Sequence, residues 1–236
     1  MKDIDAMISE VIAELEKMAD PERREWARGN YPTTLKIIGV KVPDERKITN
    51  ALIKDFKKLE AEKVLEIAKK LVNTGILECQ HIAYEALSKH KKALQLLNLK
   101  HLTDLGKGLD NWLSVDSFGV YLAGYAWRQG QITDDVVLQW AESDDRWWRR
   151  TAVVCTVALN QKAHGGTGDP VRTLVVCRKV ASDNDPMVAK ALSWTLRELV
   201  KIEPEPVKNF LNEHEAVLPP RVKREVKSKL ETGKKN

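Results

Sequence analysis

Trp112 and Asp116 stand four residues apart in Asn111-Trp112-Leu113-Ser114-Val115-Asp116-Ser117-Phe118. On a helix that spacing sets an indole and a carboxylate on one face. Gly119 and Ala123 fall on the same stripe, and their small side chains would leave a notch where another molecule could approach. An aromatic face and a fixed carboxylate both stabilise a cation that forms as a bond breaks. The plainer reading makes Asp116 part of a helix start, with Ser114 as its N-cap, and Trp112 a core residue.

Two further clusters carry cations beside tryptophans. Arg146, Trp147, Trp148, Arg149 and Arg150 follow Asp144 and Asp145, which belong in a first helical turn where the dipole favours acids. The arginines then lack intrahelical partners one turn on, which leaves guanidinium groups for bidentate phosphate contacts. The alternative is a solvated charged face with Trp148 turned to the core. In the second cluster Lys190, Trp194 and Arg197 recur at i, i+4 and i+7, opposite a packing stripe of Ala191, Leu192, Leu196 and Leu199. An exposed aromatic between two cations suits nucleic acid, although a tryptophan on a helix is more often structural. From Pro219 to the C-terminus seven basic residues face Glu225 and Glu231, a local excess of +5 in a stretch open to fraying. Trp26, Trp127 and Trp140 are assigned to core or helix junctions.

Other chemistries lack their signatures. Cys79, Cys155 and Cys177 form no CxxC pair, and an odd number excludes a fully paired disulfide framework. The five histidines are too dispersed for a helical HxxxH pair, so no metal is expected. A GxSxG elbow, a P-loop and a Rossmann glycine fingerprint are all missing, and no cofactor is expected. No stretch approaches the roughly 20 apolar residues of a membrane span. Met1 to Glu10 mixes Lys2 with Asp3, Asp5 and Glu10 and does not read as a leader, so the expected compartment is the cytoplasm. With 39 Lys and Arg against 34 Asp and Glu, the net charge of +5 names no partner until it is located.

Helices must position these residues. Prolines punctuate the ends of the 236-residue chain and glycines its centre, leaving segments of helical length with hardly any alternating Val/Ile/Thr run. Val115, Phe118, Gly119, Leu122, Ala123 and Ala126 recur with helical period, predicting one helix over 114–127. Ser143-Asp144-Asp145 and Ser182-Asp183-Asn184-Asp185-Pro186 offer side-chain oxygens to the free amides of two helix starts, 39 residues apart. Small residues at Ala83, Gly119, Ala152 and Ala191 are separated by 36, 33 and 39 residues, close to the period of HEAT-type helical pairs. The expected fold is all-α, one array over 1–236 with a basic tail at 219–236, and such an array curves to give a concave surface.

Four segments in order resemble the AlkD-like DNA alkylation repair glycosylases: Gly39-Val40-Lys41-Val42-Pro43-Asp44-Glu45-Arg46, Trp112 to Asp116, Trp140-Ala141-Glu142-Ser143-Asp144 with Arg150, and Leu192-Ser193-Trp194-Thr195-Leu196-Arg197-Glu198. The resemblance runs from about residue 20 to about residue 230. It implies a right-handed αα superhelix of HEAT-like repeats forming one curved solenoid on duplex DNA. The implied reaction is hydrolysis of the N-glycosidic bond of N3- or N7-alkylated purines. Asp116 matches the family's catalytic carboxylate, and Trp112 and Trp194 match two aromatics flanking the damaged nucleotide. Arg150 matches a DNA-contacting arginine, and Arg46 closes the Gly-Val-x-x-Pro-x-x-Arg motif near the backbone. Arg149, Lys190 and Arg197 join them as phosphate contacts. Two departures bear on N-terminal contacts and lesion range: Asn30 to Lys36 replaces an aromatic-rich stretch, and Lys41 stands where a neutral polar residue is familiar. Two other classes fit the same composition: a non-catalytic helical-repeat DNA-binding protein, and a HEAT scaffold binding an acidic protein. A monomer is expected.

Overall fold

The structure, a computed structural model, describes residues 3–235. Those residues are helical, and the only extended pairings among them are two isolated bridges, Ala19 with Val40 and Lys36 with Ile76. No helix among them is long and apolar enough to cross a membrane. Contacts divide the chain into two compact units at Phe118/Gly119, within a helical stretch and not at a linker.

The first unit holds α1 (Ile4–Lys17), α2 (Pro21–Asn30), α3 (Val42–Phe56), α4 (Ala61–Val72), α5 (Leu77–Leu87), α6 (Lys91–Gln95), α7 (Leu99–Leu105) and α8 (Trp112–Phe118). Its centre is α5, where Cys79, Ile82, Ala83, Tyr84, Ala86 and Leu87 are fully buried. Ala83 and Ala86 let α3, α4 and α8 approach, and the Tyr84 hydroxyl donates to the Leu105 carbonyl at 2.6 Å. The apolar stripe of α4, Val64, Ile67, Ala68 and Leu71, lies against it. Burying each such Val or Leu side chain is worth roughly 1.5–3 kcal/mol.

The second unit opens with a π-helical turn, Gly119–Ala123. There follow α9 (Gly124–Arg128), α10 (Asp134–Ala141), α11 (Arg146–Cys155), α12 (Val157–Asn160), α13 (Pro170–Lys179), α14 (Pro186–Val200), α15 (Pro204–Glu213) and α16 (Pro220–Thr232). Here α11 is central, packed by α9, α10, α13 and α14. Cys155 and Cys177 are fully buried.

Proline opens α2, α13, α14, α15 and α16 at the position where its missing N–H costs nothing. Asp145 and Asp185 cap α11 and α14, accepting from Trp147 N and Met187 N, each at 2.8 Å, as the sequence leads one to expect.

Three expectations are corrected. The single helix over 114–127 is interrupted by the π turn, so helical spacing does not carry through Gly119. The cap ahead of Trp112 is Asn111, which accepts from Ser114 N at 2.9 Å, and not Ser114. The basic tail is not frayed over its length: α16 buries Val222, Glu225 and Val226 against α14 and α15.

Candidate nucleic-acid interface

In the first unit, a chain of contacts fixes the start of α8. Asn111 is fully buried as its cap. Asp110 accepts from the Thr33 hydroxyl, from Thr34 N at 2.5 Å and from the Thr34 hydroxyl at 2.7 Å. Burial pushes the Asp110 carboxyl up, but these bonds outweigh it and hold it below the usual carboxylate range. The loop 31–36 is thereby pinned to the residues that introduce Trp112. The Trp112 indole N–H donates to the Asn30 carbonyl at 3.0 Å, and its ring meets Tyr31 at 5.1 Å. Asp116 follows one turn later, half-buried, while Val115 and Phe118 are buried, with Phe118 against Tyr84 of α5.

The Gly-Val motif is a backbone turn held by side chains from two helices. Glu78, buried on α5, accepts from Ile38 N at 3.1 Å and Gly39 N at 2.7 Å. Arg24 donates to the Ile38 carbonyl, and Asp20 N to the Gly39 carbonyl, both at 2.9 Å. Gly39 has φ +89°, and a Cβ there would stand 2.7 Å from the Arg24 backbone, so only glycine fits. Lys41 pairs with Asp20 at 2.6 Å. Arg46 is exposed on α3, while its neighbour Glu45 turns inward to His81 at 2.5 Å.

In the second unit the arginine cluster differs from the expectation. Arg149 donates to Asp183 at 2.7 Å and to the Ser143 and Asp144 carbonyls at 2.9 Å. Arg150 is 5% exposed and donates to the Met187 carbonyl. Arg146 reaches Asp185 at 3.4 Å. Neither Arg149 nor Arg150 is a guanidinium free for phosphate. Their distant partners, Asp183 in the loop before α14 and Met187 in its first turn, lie 34 and 37 residues on, beyond the reach of an i, i+4 search. Together they tie α11 to the start of α14. Trp147, not Trp148, is the core residue, and Trp148 packs on Trp140 at 5.0 Å.

On α14, Lys190 is exposed and Trp194 half-buried, its indole in no hydrogen bond or ring contact among the described residues. Arg197 turns towards α16: its Nε donates to Ser193 at 3.3 Å and lies 3.9 Å from Glu225. Glu225 is buried, accepts from the Ser193 hydroxyl at 2.6 Å, and gathers Arg221 and Lys235 as well. Burial pushes its carboxyl up; the Ser193 bond and the surrounding cations hold it below the ordinary value.

The notch expected beside Gly119 is filled. A Cβ on Gly119 would lie 2.8 Å from Val154 Cγ1, because α11 already occupies that space. Trp127 is buried and donates to Asp134 at 2.7 Å, as a junction residue should. Trp26, expected in the core or at a helix junction, is instead 49% exposed and carries Arg23 over its ring at 4.0 Å. The aromatic of the divergent 30–36 segment, Tyr31, and the buried Glu78 were not singled out. No local signal marks Glu78, since its partners lie 39 and 40 residues away.

Comparisons with known proteins give the arrangement its context. The family model described as DNA alkylation repair enzyme matches residues 11–230. Among curated proteins nothing matches the chain. A solved structure from Enterococcus faecalis, titled a predicted DNA alkylation repair enzyme, is similar with a TM-score of 0.71 at 17% identity. The match covers 91% of this chain and 98% of that one. At that identity the likeness speaks for the fold, all-α with packed HEAT-like helix pairs. With nearly the whole length matched by the family model, the chain belongs to the DNA alkylation repair enzyme family.

Proposed function

We propose that the protein is a DNA glycosylase that hydrolyses the N-glycosidic bond of cationic N3- or N7-alkylated purines in duplex DNA, acting without a cofactor. An alkylated purine of this kind already carries positive charge and leaves as a neutral base when the C1′–N bond breaks with its electron pair. The barrier therefore lies in the cationic sugar. Asp116 stabilises that oxocarbenium ion and orients the water that adds to C1′, whose proton passes to the carboxylate and on to solvent. Trp112 and Trp194 place π faces near lesion and sugar, each worth about 0.5–2 kcal/mol to a cation. Neutral purines gain none of this help, so selectivity follows charge.

The observation that supports this reading is the anchored Trp112 on α8, with Asp116 on the same helix. Trp112 is held by Asn30 and Tyr31, and Asp116 stands one turn on, half-buried. Arg46 and Lys190, both exposed, contact backbone phosphates, while Arg197, engaged by Ser193 and Glu225, positions α14 against α16. Arg149 and Arg150 act as positioning residues, holding the start of the helix that carries Lys190 and Trp194. Release of 7-methylguanine from duplex DNA tests the assignment. Asp116→Asn should cut the rate by about a hundredfold or more while leaving duplex affinity unchanged. No release by the wild type, or equal release by the variant, sinks it.

A further inference from the structure

Of the seven tryptophans, all within the described residues, Trp26 alone is exposed. An exposed indole on a polar helix such as α2 adds little to the core and calls for a partner. Its surroundings are ordered. The Arg23 guanidinium lies over one face at 4.0 Å, and Tyr31 meets the ring edge-on at 5.7 Å and 81°. The Asn30 side chain donates to the Trp26 carbonyl at 2.7 Å, while the Asn30 carbonyl holds Trp112. Trp26 is thus joined to Trp112 through Tyr31, in ring-to-ring steps of 5.7 and 5.1 Å.

Arg23 forms no side-chain ion pair among the described residues. A guanidinium stacked on an indole keeps its N–H donors pointing outward in its own plane, the geometry that grips phosphate. Beside the same Tyr31 runs an open groove of about 710 Å³ whose wall contains Arg24, Arg28 and Lys36 against one carboxylate, Glu16. The pairs Arg28 with Glu25 and Lys36 with Glu16 are exposed and readily exchanged for phosphate. The occupant that fits a cation-rich path beside an open aromatic face is a polyanion with an apolar sugar edge.

We propose that Arg23 and Trp26 grip one sugar-phosphate unit of duplex DNA, the guanidinium on the phosphate and the open indole face against the deoxyribose. The inference rests on the glycosylase reading for its substrate. At ~3.4 Å of rise per nucleotide, the two ring steps keep this unit within about three nucleotides, at most, of the one facing Trp112. The contact is sequence-independent and anchors the strand without touching the reacting bond.

Titration of undamaged duplex with the full chain tests this, since no turnover intervenes. Trp26→Ala should weaken binding about three- to tenfold, and Trp26→Phe should retain most of the affinity. Arg23→Gln should lower the slope of log affinity against log salt by about 1. Wild-type affinity and slope in Trp26→Ala and Arg23→Gln would overturn the inference, as would a loss confined to single-stranded DNA. If the wild type binds duplex but releases no base, the glycosylase reading falls while this contact stands; if it binds no duplex, both fall.

Discussion

Glu78 shows how much a single buried side chain can position. Its two oxygens satisfy the buried amides of Ile38 and Gly39 in the turn preceding the Val42–Phe56 helix. Glu78→Ala leaves both amides buried and unpaired, at about 1–3 kcal/mol each, which urea denaturation should register as a loss of roughly 2–6 kcal/mol. A loss under about 1 kcal/mol would mean that water replaces the carboxylate. Nearby, burial alone would lower the pKa of His81, but the hydrogen bond and charge of Glu45 outweigh it and raise the pKa above the ordinary 6.5. Glu85 and Glu78 add to that pull. A raised folded-state value means stability that is fully present below the unfolded pKa and lost as pH climbs through the folded one. The stability difference between wild type and His81→Gln should therefore shrink as pH rises above the ordinary histidine range of about 6.5. A constant difference would show that the ion pair does not matter. That Trp112 and Asp116 share one helix is legible in the sequence, because they lie within one turn of each other. Trp26 sits on the solvent side of α2, against the average burial of an indole, because which face of α2 meets the core depends on distant partners that no local pattern names.

At the scale of elements, caps and close approaches behave differently. Asp145 and Asp185 could be read as caps because a cap bonds two or three residues away. The ties from Arg149 to Asp183 and from Arg150 to Met187 could not, being made across a helix-loop-helix separation. The small residue Gly119 was recognised as a packing position, but its neighbour could not be named. That neighbour, Val154, makes Gly119→Ala a steric test. Overpacking there should cost about 1–3 kcal/mol, and Val154→Ala in the same chain should recover much of it. Additive losses in the double variant would show that the contact does not govern the spacing of α11 from the π turn. That turn is also where the expected single helix changes register, from α to π and back.

For the molecule as a whole, the all-helical character followed from proline placement and from the shortage of alternating runs, and both are local. The excess of +5 in the C-terminal stretch means less than its size suggests. Glu225, buried beneath it, collects Arg197, Arg221 and Lys235 and holds α14 to α16. The division at Phe118/Gly119 has a bearing on how the protein comes apart. Cys79 lies in the first unit, and Cys155 and Cys177 in the second. Burial pushes the Cys79 thiol up to about 12 and raises the other two further. As neutral, shielded thiols they should resist alkylation in the native state, and each becomes reactive only when its own unit opens. Pulsed alkylation read by peptide mass in rising urea should therefore time each half separately. Cys155 and Cys177 should be modified together, at rates that follow their shared unit. If Cys79 keeps pace with them throughout, the two halves melt as one cooperative body; if it leads or lags, each half keeps its own clock.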